Sequence, residues 1–478
     1  MRVLKALQTS KQFWFVTFTT FLFFVLRLPS LFEPLWYGDE GIYQVIGNSL
    51  NHNKMLYSQI FDNKPPLLYW IYAILQSDQF AVRLASLIVG ALAIVMFFFL
   101  SKHLFKKPNN NSIPYLTTLI FTLLFGLPLL EGNIANAENF MLLPIIASAF
   151  LLVSRKKFFV PGLLLGIAFL IKIVAIFDLA AFLVFCFILN FDSLKKELKL
   201  SSIIAGFLLP IFLVGLYFLF NEAFLDFIRA TFVSNISYVN YHNKIGTLPS
   251  LLFIKLFALG TFISYVFIKR KQINPSSLFI LTWLAFSLFN AFFSQRPYTH
   301  YLLVLIPSLS LVAGLIFFDK KYRKIIAIIF LITIIIAIKG FGIRWSSKNF
   351  NYYQNFISYV AGGKTTISYQ ASFDHNTPSD YEIARFIKPK LIGNDTIFVW
   401  GNNAQLYQLV EVVAPTKYIV AYHITNYKDG EITTRQGIEK EKPKFIVIMS
   451  NSGPFPFPLV TYSKKIDINN ASIYEKTL

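Results

Sequence analysis

The run FAVRLASLIVGALAIVMFFFLS, residues 80–101, holds a single charge, Arg83. As a helix rising about 1.5 Å per residue it reaches about 33 Å, enough to cross the roughly 30 Å hydrocarbon layer of a bilayer. About eleven such segments can be placed: 12–31, 80–101, 113–130, 139–153, 158–172, 173–190, 201–220, 250–268, 276–294, 300–318 and 323–342. The stretch 139–190 can be divided in more than one way, because Lys172 and Asp178 interrupt it. The whole composition agrees with a chain that sits mostly in lipid. Hydrophobic residues make up 55%, aromatics 17% and charged residues 14%, against about a quarter charged in soluble domains. Phe alone occurs 53 times, and the mean hydropathy is +0.56.

The net charge of +20 suits either nucleic-acid binding or membrane topology, and its distribution decides. Basic clusters alternate with the apolar runs: Arg2, Lys5 and Lys11; Lys102, Lys106 and Lys107; Arg155 to Lys157; Lys195, Lys196 and Lys199; Lys269 to Lys271; and Lys320 to Lys324. With the N-terminus in the cytoplasm all of them fall inside, and the connections near 131–138, 221–249 and 295–299 fall outside. This is a topology pattern, and no nucleic-acid partner is expected. The same orientation puts the polar segment 32–79 and everything after about 343 outside the cytoplasm. The N-terminal run lacks a small-residue cleavage site and reads as the first span. The one cysteine, Cys186, lies in an apolar run and excludes an intrachain disulfide.

After residue 342 the pattern changes. The runs NDTIFVWG, KYIVAYHI and KPKFIVIMS read as strands and AQLYQLVEVV as a helix, which predicts a small extracytoplasmic α/β domain over 343–478. The expected fold is an α-helical polytopic membrane protein of about eleven transmembrane helices, 1–342, with this domain appended. The first outer loop, 32–79, is counted with the membrane part. No internal repeat of the kind common in transporters is visible.

That loop carries the chemistry. In Trp36-Tyr37-Gly38-Asp39-Glu40-Gly41, two carboxylates open a helix-like pattern just after the first span. Asp39 reads either as an N-cap, with Glu40 complementing the helix dipole, or as a carboxylate at the lip of a cavity that takes a proton from an attacking hydroxyl or amine. In Asp62-Asn63-Lys64-Pro65-Pro66 the Pro-Pro step stiffens a turn that would hold Lys64 at headgroup depth. There it meets a lipid phosphate or serves as an ordinary interfacial anchor.

This order of a first span, an Asp-Glu pair, a Lys-Pro-Pro turn and Arg83-Leu84-Ala85-Ser86 at the second span resembles the C-type multi-spanning glycosyltransferases. The similarity is greatest to the branch containing protein mannosyltransferases and the lipid A aminoarabinose transferase. It implies Asp39 as the catalytic residue, with Glu40 and Glu138 as further acidic candidates, and basic residues that hold the phosphate of a polyprenyl-phosphate sugar donor. Lys64 matches that role. Lys172 at the end of the fifth span, and Arg296 with His300 and Tyr301 before Pro307, match more loosely, with Arg83 a supporting cation. Where the aminoarabinose-transferase branch often carries a metal-linked glutamate, this chain has Asn63, a weaker ligand for a divalent cation. No tightly bound metal or other cofactor is therefore expected. Asp39, Glu138 and His300 are the candidates for a metal should they converge.

The implied reaction is a one-step displacement, inverting at the anomeric carbon, from the lipid donor to a lipid, protein or polysaccharide acceptor outside the cell membrane. Two rival classes remain at this point: a transporter or flippase for a polyprenyl-linked sugar, and a non-catalytic saccharide receptor.

Overall fold

A computed structural model of the chain describes residues 11–106, 112–155, 158–191, 196–235, 249–294, 296–343 and 345–477. The basic residues Arg2, Lys5, Lys107, Lys156, Lys157 and Lys195, and 236–248 of the outer connection, lie outside them.

The expected spans are helices. Among the described residues six are long and apolar enough to cross a membrane: Lys11–Phe32, Gln79–Leu104, Ala137–Ser154, Glu197–Phe220, Thr299–Phe318 and Arg323–Phe341. Shorter apolar helices occupy the other expected segments, among them Ile113–Gly126, Phe159–Ile171 and Pro275–Ala291. The chain is thus a multi-pass membrane protein. The ambiguous stretch resolves into Ala137–Arg155, Phe159–Ile171 and Ile176–Leu189, and Lys172 sits in the break between the last two, where φ −154° and ψ 127° leave the helical region.

The chain folds as two compact units, whose boundaries fall elsewhere than the expected break at 343. The first comprises 1–30, 85–214 and 236–352. Its helices approach closely where glycine removes the side chain. A Cβ on Gly162 would run into the carbonyl of Ile203, and one on Gly206 into that of Phe159. Small residues of this kind let lipid-embedded helices gain van der Waals contact in the absence of a hydrophobic driving force between them. Cys186 is buried and unpaired, as expected of a small packing residue.

The second unit comprises 31–84, 215–235 and 353–478, so the first outer loop packs with the C-terminal region. Its sheet has the order β1-β2-β4-β3, with β1 Ile397–Trp400, β2 Phe445–Met449, β3 Tyr462–Ile468 and β4 Ala471–Lys476. The pair β1 and β2 is parallel, with Ile397 opposite Phe445, and both strands are almost wholly buried. β4 runs antiparallel to both β2 and β3.

Two local expectations are corrected here. KYIVAYHI is not a strand: Tyr418, Ile419 and Val420 are buried as an extended connection, and the chain turns into a helix at Ala421–Asn426 once the Ala421 N–H meets the Gly401 carbonyl at 2.8 Å. AQLYQLVEVV is helical only over Gln405–Leu409, because Glu411 takes a left-handed φ of 60°.

Candidate active site in the first outer loop

Pro65, in extended conformation, and Pro66 start the helix Pro66–Ile74, while Gly38, Asp39 and Glu40 start the helix Gly38–Asn51. Carboxylates in a first turn are favoured by the helix dipole. The cap position belongs to Tyr37, which makes no side-chain cap bond, so Asp39 is not the N-cap. Its side chain instead stays 35% exposed, accepts a hydrogen bond from the Tyr43 hydroxyl at 3.1 Å, and has the Lys64 ammonium at 3.8 Å. Gly41, one turn into the same helix, faces the backbone of Gln405, where a Cβ would come within 2.9 Å of the amide nitrogen.

Glu40 points the other way. It is buried and held by Arg83, whose Nε and Nη2 donate to its two oxygens at 3.1 and 2.5 Å. Arg83 also lies 3.2 Å from Glu33, so one guanidinium bridges two buried carboxylates. The fork of N–H donors on arginine suits such bidentate pairing. The sequence reading named Glu40 and Arg83 but not the Glu33 that completes the set.

Lys64 is fixed from several sides. Its N–H donates to the Tyr69 hydroxyl at 3.2 Å, its carbonyl accepts from Tyr57 at 2.7 Å, and its ammonium lies 3.4 Å from Asp62 and 4.8 Å from the Tyr43 ring centroid. Asp62 also accepts from Tyr69 at 2.7 Å and has His423 Nε2 at 3.4 Å. Burial alone would raise the Asp62 carboxyl, but the Lys64 charge and the Tyr69 hydrogen bond outweigh it and hold the group below its ordinary range. Burial pushes His423 down to about 4, so it is neutral at pH 7 despite the nearby carboxylate. The ammonium of Lys64 therefore stands between an ionised, buried Asp62 and a half-buried Asp39. Asp62 and His423 were missed in sequence. Asp62 stood in the quoted Asp-Asn-Lys-Pro-Pro run, whereas nothing local marks His423.

A second cluster lies in the membrane unit. Glu138, in the first turn of Ala137–Arg155, is 1% exposed and paired with Lys172, whose ammonium sits 4.8 Å from the Tyr301 ring centroid. His300 places Nδ1 2.9 Å from Glu131 and Nε2 3.9 Å from Glu138, and Thr299 donates to Glu131 at 2.6 Å. The structure thus brings Glu138, Lys172, His300 and Tyr301 together and adds Glu131, which takes a left-handed φ of 57°. Arg296 is half-buried in the same connection as His300. Among the described residues no group of three or more His, Cys, Asp or Glu could hold a metal ion.

Comparison with known proteins gives the following. Residues 63–218, about a third of the chain, match the family of dolichyl-phosphate-mannose-protein mannosyltransferases. The crystal structure of ArnT from Cupriavidus metallidurans bound to undecaprenyl phosphate superposes over 97% of this chain and 98% of its own, with a TM-score of 0.54 at 13% identity. The archaeal oligosaccharyltransferase AglB from Archaeoglobus fulgidus, in complex with an inhibitory peptide and a dolichol-phosphate, aligns over 92% of this chain and 70% of its own, with a TM-score of 0.45 at 12% identity. No curated protein sequence matches the chain significantly. Residues 63–218 thus carry the pattern of the protein mannosyltransferases on a chain that shares the fold of ArnT from end to end, and the chain resembles the C-type multi-spanning glycosyltransferases in both sequence and fold.

Proposed function

We propose that this protein is a glycosyltransferase that moves a sugar from a polyprenyl-phosphate donor to an extracytoplasmic acceptor. The supporting observation is the open carboxylate of Asp39 beside the Lys64 ammonium, in the loop that follows the first span. The acceptor hydroxyl or amine forms its bond to the anomeric carbon as Asp39 takes its proton. The bond from that carbon to the phosphate oxygen breaks, and its electron pair leaves with the phosphate, inverting the centre. Such a base contributes about 10²- to 10⁴-fold.

A phosphate leaving group needs its growing negative charge stabilised rather than a proton. Lys64 supplies that stabilising charge. Glu40 with Arg83, and Glu138 with Lys172, are already paired with one another, and we assign them to holding their local backbone. His300 and Tyr301 frame the second of these pairs. The N-terminus is assigned to the cytoplasm and the C-terminal domain to the other side, on the distribution of Lys and Arg. The ArnT structure contains undecaprenyl phosphate, a donor carrier of the class proposed here.

The test uses purified protein in liposomes with radiolabelled polyprenyl-phosphate sugars and candidate acceptors. Label that leaves its carrier and appears on acceptor supports the transferase. Label that crosses the bilayer still attached to its carrier would establish a flippase, and label bound but unchanged a receptor.

A further inference from the structure

The membrane unit contains a cavity of about 670 Å³ at the basic ends of its helices. The helix Gln79–Leu104 has 26 residues, about 39 Å at 1.5 Å per residue, longer than roughly 30 Å of hydrocarbon, and its basic last turn, Lys102 and His103, suits the headgroup layer. That turn supplies Lys102 and His103 to the cavity, and Lys106 follows directly. Lys102 donates to Gln12 at 2.6 Å, which leaves two of its three ammonium protons for a ligand. Lys11 adds a further positive charge 5.7 Å from the centroid of Tyr115, whose ring lines the cavity. No acidic residue is among the lining groups, and among the described residues Lys102, His103 and Lys106 form no ion pair. Apart from Gln12 and Pro114, the remaining wall is aromatic and includes Phe99.

Cations at headgroup depth above an aromatic wall fit an amphipathic anion. We infer that this cavity binds the phosphodiester headgroup of an anionic glycerophospholipid, distinct from the polyprenyl donor and on the side of the membrane that the basic clusters face. A soluble phosphate offers the same oxygens to the lysines but nothing to the aromatic wall, which favours the lipid. The inference is independent of the transferase reading, since it involves none of the residues assigned there.

The experiment is native mass spectrometry of the purified protein titrated with phosphatidylglycerol or phosphatidylcholine. The wild type should retain phosphatidylglycerol in preference. Lys102→Gln and Lys106→Gln should each lower that retention about fivefold, as expected for roughly one juxtamembrane lysine's attraction to an anionic headgroup. Lys102→Arg with Lys106→Arg should preserve it. Equal retention of the two lipids by the wild type would overturn the proposal whatever the variants do, and so would undiminished selectivity in the glutamine variants. Displacement of the lipid by millimolar inorganic phosphate would identify a free anion as the occupant and reject the lipid.

Discussion

Asp39 and Glu138 occupy the same local position in the two units of the molecule. Each stands in the first turn of a helix, in or directly after a segment expected outside the cytoplasm, and each has a lysine nearby. Packing makes them different. Asp39 is 35% exposed, with its lysine at 3.8 Å and a single tyrosine hydrogen bond. Glu138 is 1% exposed and in direct contact with Lys172. A carboxylate in the first state can exchange a proton with a substrate. One in the second has its charge taken up by a neighbour, and its removal is felt by the fold. The shared sequence pattern marks where acids belong at the membrane surface, and tertiary packing decides which of them is open to chemistry.

Several variants can break or sharpen this contrast. Among changes to structure and binding, the largest effect is expected for Glu138→Gln. Removing one partner of a buried ion pair costs about 3–5 kcal/mol, seen as a marked fall in thermal unfolding temperature in detergent. Replacing Lys172 by Met at the same time should recover much of the loss. A Glu138→Gln protein of normal stability that no longer transfers sugar would place this acid in the chemistry and dissolve the contrast.

Lys64→Ala comes next. Loss of a charged hydrogen bond to phosphate, about 1.5–3 kcal/mol, should weaken donor binding roughly 10- to 100-fold, and because Lys64 also compensates the buried Asp62 carboxylate a fall in unfolding temperature should accompany it. An unaltered donor affinity would reduce Lys64 to a fixture of the loop.

The effect that is smallest when taken per pH unit concerns pH. Because His423 is held at about 4 against an ordinary 6.5, the unfolded chain binds a proton between those values that the folded protein does not. His423 therefore contributes stability that rises with pH across that window, by at most about 1.4 kcal/mol per unit. His423→Gln should make the slope of stability against pH less positive by that amount. Asp380, raised from 3.8 to about 6 by burial, contributes the opposite slope, but it is present in both proteins and cancels in the comparison. An unchanged slope would show that His423 is not the buried neutral group described here.

The membrane helices were legible because an apolar run of the required length has few other uses in water. The hairpin of β3 and β4 was not, because Lys464, Lys465, Asp467 and Glu475 interrupt its pattern on the exposed edge of the sheet. KYIVAYHI misled for the converse reason. Its β-branched and aromatic residues serve burial, with Tyr418 and His423 packed against Phe61 at 5.1 and 5.5 Å between centroids. In the site, Asp39 and Lys64 stood in short patterned motifs. The Asp62 to His423 contact, and the bridging of Arg83 between Glu33 and Glu40, depend on segments far apart in sequence, which spacing cannot join.

The most direct measurement is donor binding and single-turnover transfer in Asp39→Asn, which keeps the shape of the side chain and removes its basicity. Donor affinity should stay close to the wild-type value while transfer falls by about 10²- to 10⁴-fold. Transfer at the wild-type rate with the amide in place would take the proton-accepting role away from Asp39.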